Sequence, residues 1–260
     1  MTNTAAVAQP AETNEYRGGL SRVLSVARLH YTNKATVFTI PALILTGIFA
    51  VNLAIWAIIY NSVPVADRGD VSEGLQWSGS TFYIFVYTFV IAVQAINVTF
   101  PFALGYGVTR RHFALGTALA LLGLAAVYSV ALTAVASIER ATDGWGFGGR
   151  MFTAIYFPAN TWYEFLLVYF AYFALFFFTG AFFAAIYSRW RIIGLLLSFL
   201  GLAILIIATL AIIGAAQAWG ELFAYLGALP PLGFVAWSFV PTAIAAVAAF
   251  LVIRRATPKG

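Results

Sequence analysis

Residues able to do chemistry are scarce in this chain of 260 residues, which holds nine acidic side chains, two histidines and no cysteine. The missing cysteines exclude disulfides, thiolate nucleophiles and Cys-ligated metals. His30 and His112 lie far apart, and no His or carboxylate pair has metal-ligand spacing within an apolar stretch. No apolar stretch is expected to bury a carboxylate, since Glu164 falls at the end of one. Proton-driven transport and intramembrane hydrolysis need ionisable groups in the bilayer, so both readings weaken, while facilitated diffusion stays open. The only lysines, Lys34 and Lys259, follow no GxxxxGK[ST] pattern, so this chain is not expected to bind ATP in that manner. The glycines of DGWGFGG (143–149) resemble a phosphate cradle but follow no strand, and read as a flexible turn. Asn97-Val98-Thr99 matches a glycosylation sequon, yet it falls in an apolar run and is discounted. Catalytic, cofactor-binding and metal-binding residues are therefore all expected to be absent, and the chain is not read as an enzyme.

What remains is a set of polar residues set among apolar ones. In GYGVTRRHFALG (105–116), Gly107, Val108, Thr109, Arg110, Arg111, His112 and Phe113 form a basic turn between two greasy runs. Arg189, Trp190 and Arg191 repeat the pattern in YSRWRIIG (187–194). Holding Arg110 and Arg111 at mid-bilayer would cost ~5–7 kcal/mol, so the chain should turn there. Asn52, Gln94 and Asn97 are polar residues inside apolar runs; the last two, three apart, share a helical face. They either line a substrate path or a dimer centre, or hold helices together by hydrogen bonds. The aromatic run from Tyr163 to Tyr187 either grips hydrophobic cargo or meets lipid and neighbouring helices. Gly180 and Ala184 form a small-xxx-small pair suited to close helix contact.

The elements that must position these residues follow from composition. Hydrophobic side chains make up 62% of the chain and charged ones 9%, against about a quarter charged in soluble domains, so the bilayer must be part of its solvent. Six continuously apolar runs, near 36–60, 81–106, 113–138, 163–187, 192–216 and 233–253, predict an all-α polytopic membrane protein of six spanning helices rather than a barrel. With the N-terminus cytoplasmic, eleven basic residues fall inside and only Arg68, Arg140 and Arg150 outside. That bias puts both termini in the cytoplasm. Most acids, Glu139 and Asp143 among them, then lie outside. Residues 1–19 read as a disordered tail, not a cleavable signal, and 254–260 as a second cytoplasmic tail. In a basic amphipathic helix spanning 20–34, Leu20, Val23, Leu24, Ala27 and Tyr31 share one face, with Ser21, Arg22, Ser25 and Arg28 opposite. Such a helix lies on anionic headgroups or caps the bundle. Residues 217–231 suggest a short re-entrant or interfacial helix, stopped by Pro230-Pro231.

This arrangement resembles the membrane subunit of type-2 ATP-binding-cassette exporters, bacterial and of actinobacterial type. Their six spans have both ends inside, with an interfacial helix before the first, a short coupling helix between the second and third, and small outer helices before the sixth. Residues 20–31, 107–113 and 217–231 match these parts in turn. Gly107-Val108-Thr109-Arg110-Arg111-His112-Phe113 with Gly116, and Arg189-Trp190-Arg191 with Gly194, are similar to the family's short inner-loop patterns. The resemblance implies a permease subunit in the bacterial cytoplasmic membrane, paired with a second permease chain. It implies a separate nucleotide-binding ATPase that holds ATP and Mg and docks at 107–113. No nucleic-acid partner is expected. An ATP-independent facilitator or channel, or a regulatory membrane subunit, is the alternative.

Overall fold

A computed structural model describes residues 19–255, which are helical apart from short connections and contain no strand. The tails 1–18 and 256–260, expected to be disordered or cytoplasmic, lie outside the described residues. Eight α-helices follow in order: α1 (Gly19–Leu29), α2 (Ile40–Ser62), α3 (Arg68–Gly74), α4 (Phe82–Gly105), α5 (Arg110–Ala141), α6 (Trp162–Ala215), α7 (Trp219–Ala228) and α8 (Pro231–Arg255). A π-helical turn, Ala35–Thr39, leads into α2, where Pro41 sits in the first helical turn and so gives up no needed N–H. Five helices are long and apolar enough to cross a membrane: Ala35–Ser62, α4, α5, α6 and α8. The chain has the helices of a multi-pass membrane protein.

At 54 residues, α6 would be about 80 Å long if straight, far beyond a bilayer's ~30 Å. It is not straight. Arg191 leaves the helical region with φ 58° and ψ −147°, and the chain folds back there. Phe183 and Phe199 prove the hairpin: sixteen residues of straight helix would part them by about 24 Å, yet their rings stack 4.8 Å apart. The apolar runs expected at 163–187 and 192–216 are thus the two arms of one helical hairpin.

The core lies where α4, α5, the first arm of α6 and α8 meet. Phe85 on α4 meets Phe173 at 4.8 Å, and Asn97 meets Ser188 further along, so α4 and this arm run in the same direction. α5 runs against them, with Phe113 against Phe100 at 5.1 Å and Tyr128 against Phe173 at 5.3 Å. Gly180 lets the helices close up, because a Cβ there would stand 2.5 Å from the Phe89 carbonyl and 3.0 Å from Ala92 on α4. Ala184 is fully buried one turn on. The second arm of α6 is the reverse: Ile193, Leu197, Leu205 and Ile212 are all exposed, an apolar surface that only lipid or another chain can cover.

α1 packs along α5, from Gly19 beside the His112 ring, through Gly116 and Thr117, to the Tyr31 hydroxyl on the Ala120 carbonyl (2.8 Å). Gly116 is its seat, since a Cβ there would lie 2.6 Å from Val26 and 2.7 Å from the Val23 carbonyl. Of the expected face, Val23, Ala27 and Tyr31 pack on α5, whereas Leu20 and Leu24 face outward and Val26 and His30 are buried in their place.

Candidate functional site: the two ends of the bundle

One end of the bundle is basic. The α4–α5 connection is a tight turn in which the Gly107 N–H donates to the Leu104 carbonyl (3.0 Å) and the Val108 N–H to the Ala103 carbonyl (3.1 Å). This is a Schellman cap, and it requires the left-handed φ of 76° that Gly107 adopts. Thr109 then caps α5, its hydroxyl accepting from the His112 N–H at 3.3 Å and meeting His112 Nδ1 at 2.9 Å. The resemblance implies a separate short helix over 107–113; instead Arg110 already belongs to α5, so two long helices are joined directly by two caps. Phe113 is fully buried between Phe100 and His30 and fixes the turn's base. Arg110 donates to the Arg254 carbonyl at 3.2 Å, capping the C-terminal end of α8, where a cation is favoured. Arg111 is exposed and has no hydrogen-bond partner among the described residues. The Arg189 guanidinium lies 4.5 Å over the Trp190 ring, and Arg191 lies 5.9 Å from the Tyr187 ring.

Asn52, Gln94 and Asn97 are not brought together. The Asn52 amide donates to Ser78 (3.0 Å) and Ser80 beyond the end of α2, tying a loop. Asn97 accepts from Ser188 at 3.3 Å and joins α4 to α6. Gln94 faces away from both, into a cleft beside His30 and Lys34. Of the two asparagines, Asn97 thus meets another helix and Asn52 a loop.

The opposite end holds a buried carboxylate that composition did not suggest. Glu139, expected in an outside loop, lies within α5 at 1% exposure. Its Oε2 accepts from Trp145 Nε1 (3.0 Å) and the N–H groups of Met151 (3.0 Å) and Phe152 (3.1 Å). Its Oε1 accepts from the Thr153 N–H and hydroxyl, both at 2.7 Å. These five donors satisfy a charge that would otherwise be very costly to bury. They also hold a non-helical segment in the bundle: Met151, Phe152, Ala154 and Phe157 are buried, Thr81 donates to the Met151 carbonyl at 2.6 Å, and Tyr169 donates to the Phe152 carbonyl. Buried irregular backbone is stable only when its polar groups find protein partners. Tyr156 completes the plug by donating to the Ser78 carbonyl; burial, with Glu139 nearby, pushes its hydroxyl up to about 12.

A sequence signal for Glu139 existed. Leu121, Ala125, Tyr128, Leu132 and Ala136 mark the buried stripe of α5, and Glu139 continues it. The nearby DGWGFGG stretch is packed rather than flexible. Asp143, Gly144, Trp145, Gly146 and Gly148 all take positive φ, winding a left-handed turn that aims the Trp145 ring at Glu139. Gly149 carries the Trp56 ring against its bare Cα, and a Cβ there would lie 2.5 Å from it. A cavity of about 520 Å³, lined by Glu139, Arg140, Asp143 and Arg150 among others, opens beside the plug. Both oxygens of Glu139 are occupied, and the contacts it makes hold the plug in place.

No known protein family, curated protein or solved structure shows significant similarity to this chain.

Proposed function

We propose that the chain is the permease half of an exporter driven by a separate ATPase. The observation carrying this reading is the stiff basic turn at 105–110, which caps two long helices with no slack and presents Arg111 outward. A partner that pushed on such a turn would move α4 and α5 together. The α6 hairpin supports six membrane crossings, and the gathering of Arg110, Arg111, Arg189, Arg191, Arg254 and Arg255 at one end supports a cytoplasmic location for it. The N-terminus is then inside, in a bacterial cytoplasmic membrane. The ATPase binds ATP and Mg, a second permease chain completes the path, and the cargo class is bulky hydrophobic molecules, peptides or lipids.

Because Arg110 also caps α8, Arg111 is the cleaner probe. Arg111→Glu is expected to lower recovery of a candidate ATPase in co-purification by about tenfold, the loss of roughly one charge-assisted contact. Unchanged recovery with normal membrane insertion overturns the coupling role. Transport by the isolated chain in vesicles without ATP replaces this reading with a facilitator.

A further inference from the structure

Between the α1–α2 connection and α4 lies an open cleft of about 510 Å³. Its rim is polar, with His30, Asn33 and Lys34 from the connection and Gln94 from α4, while Ile91 and Val98 form an apolar wall. Three features of the rim are unusual. His30 is 92% buried (8% exposed), and its Nε2 is engaged by Thr117 at 2.9 Å while Nδ1 has no partner. Gln94 is exposed halfway along a 24-residue apolar helix, and its amide has no hydrogen-bond partner among the described residues. An amide on an apolar helix is better satisfied by a polar group in the cleft than by hydrocarbon. Lys34 brings a cation to the same place, and none of the lining residues is acidic.

We propose that the cleft holds one anionic glycerophospholipid, its phosphate on the Lys34 ammonium, its glycerol and ester oxygens at His30 and Gln94, and an acyl chain along Ile91 and Val98. The polar rim beside an apolar wall matches the two halves of that molecule, and the rim's uncompensated charge selects an anionic headgroup. This rests on the membrane-embedded reading of the chain but not on an ATPase partner. The bound lipid bridges the α1–α2 connection and α4, adding to the bond from the Tyr87 hydroxyl to the Thr36 carbonyl (2.9 Å), and so acts as a structural ligand at the start of the bundle.

The test uses the full chain in neutral phosphatidylcholine nanodiscs, titrated with phosphatidylglycerol and read by native mass spectrometry after release into detergent. One phosphatidylglycerol per chain should be retained. Lys34→Gln should weaken retention about fivefold or more, the worth of one basic residue at a lipid surface. Gln94→Leu should weaken it too. Arg22→Gln, exposed on α1 outside the cleft, should leave it unchanged. Equal loss in Arg22→Gln marks diffuse surface attraction and overturns the site. Equal retention of phosphatidylcholine overturns headgroup selection, and displacement by millimolar inorganic phosphate makes the ligand a free anion. If Lys34→Gln does not insert, Val98→Trp, which fills the cleft, must abolish retention; normal retention in it overturns the proposal. ATPase recovery measured on the same variants separates a failure of this site from a failure of the coupling reading.

Discussion

Glu139 shows how a single side chain can decide the state of a whole segment. Glu139→Gln preserves shape but turns an amide toward N–H donors, orphaning at least the Thr153 N–H and weakening the bonds that remain. Hydrogen bonds to a buried charge are worth about 1.5–3 kcal/mol each, so a loss of roughly 3–5 kcal/mol is expected. Thermal unfolding in detergent will measure it, and trypsin should cut after Arg150 once the plug loosens. His30 gives a second prediction. Burial pulls its ring down to about 4 from the ordinary 6.5, so the unfolded chain takes up the proton first as pH falls. The stability tied to a neutral His30 is complete above about 6.5 and drains away as pH drops toward 4. His30→Gln, which cannot titrate, should flatten the melting-temperature profile between pH 7.5 and 4.5 relative to the parent chain. Neither residue's burial was visible in composition: Glu139 stood among exterior acids and His30 in a basic stretch. Both are set by tertiary partners, the plug for one and Thr117 for the other.

The elements were more legible than their contacts. A bilayer's thickness dictates the length of an apolar run, so α4 and α8 could be read from hydropathy alone. The break at Arg191 was marked by its charge and by Arg189, although the left-handed backbone there belongs to no sequence rule, since arginine rarely adopts it. Faces were harder to assign: on α1 the expected Leu20 and Leu24 turn outward, and Val26 packs instead against Gly116, a residue more than eighty positions away. Two glycine replacements separate the forces involved. Gly107→Ala puts a Cβ into open space at φ 76°, so only backbone strain of about 1–2 kcal/mol should appear. Gly116→Ala meets the Val23 carbonyl and Val26, so α1 must lift away. Circular dichroism melts should show a modest shift for the first. The second should also gain proteolysis at Arg28.

Across the whole molecule, charge is unevenly spread along the bundle axis: Arg110, Arg111, Arg189, Arg191, Arg254 and Arg255 gather at one end, while Glu139, Asp143 and Glu164 share the other with Arg140 and Arg150. Apolar runs and basic turns carried this organisation in the sequence, because both answer to the same solvent. The plug bears no such mark, because its sequence, MFTAIYF, is too short for a span and too apolar for an ordinary loop. The absence of native cysteines makes orientation directly measurable. A Thr109→Cys chain should react with a membrane-impermeant maleimide only after permeabilisation, and an Asp143→Cys chain in intact cells. The opposite pattern reverses the proposed orientation and removes the ATPase docking surface with it.

The donors to Glu139 all come from residues 145–153, no more than fourteen positions downstream. Such a short loop costs little entropy to close. During synthesis, the carboxylate can therefore gather its donors as soon as Thr153 emerges, before Tyr169 does. The cap would form first, and the later helices would assemble around it.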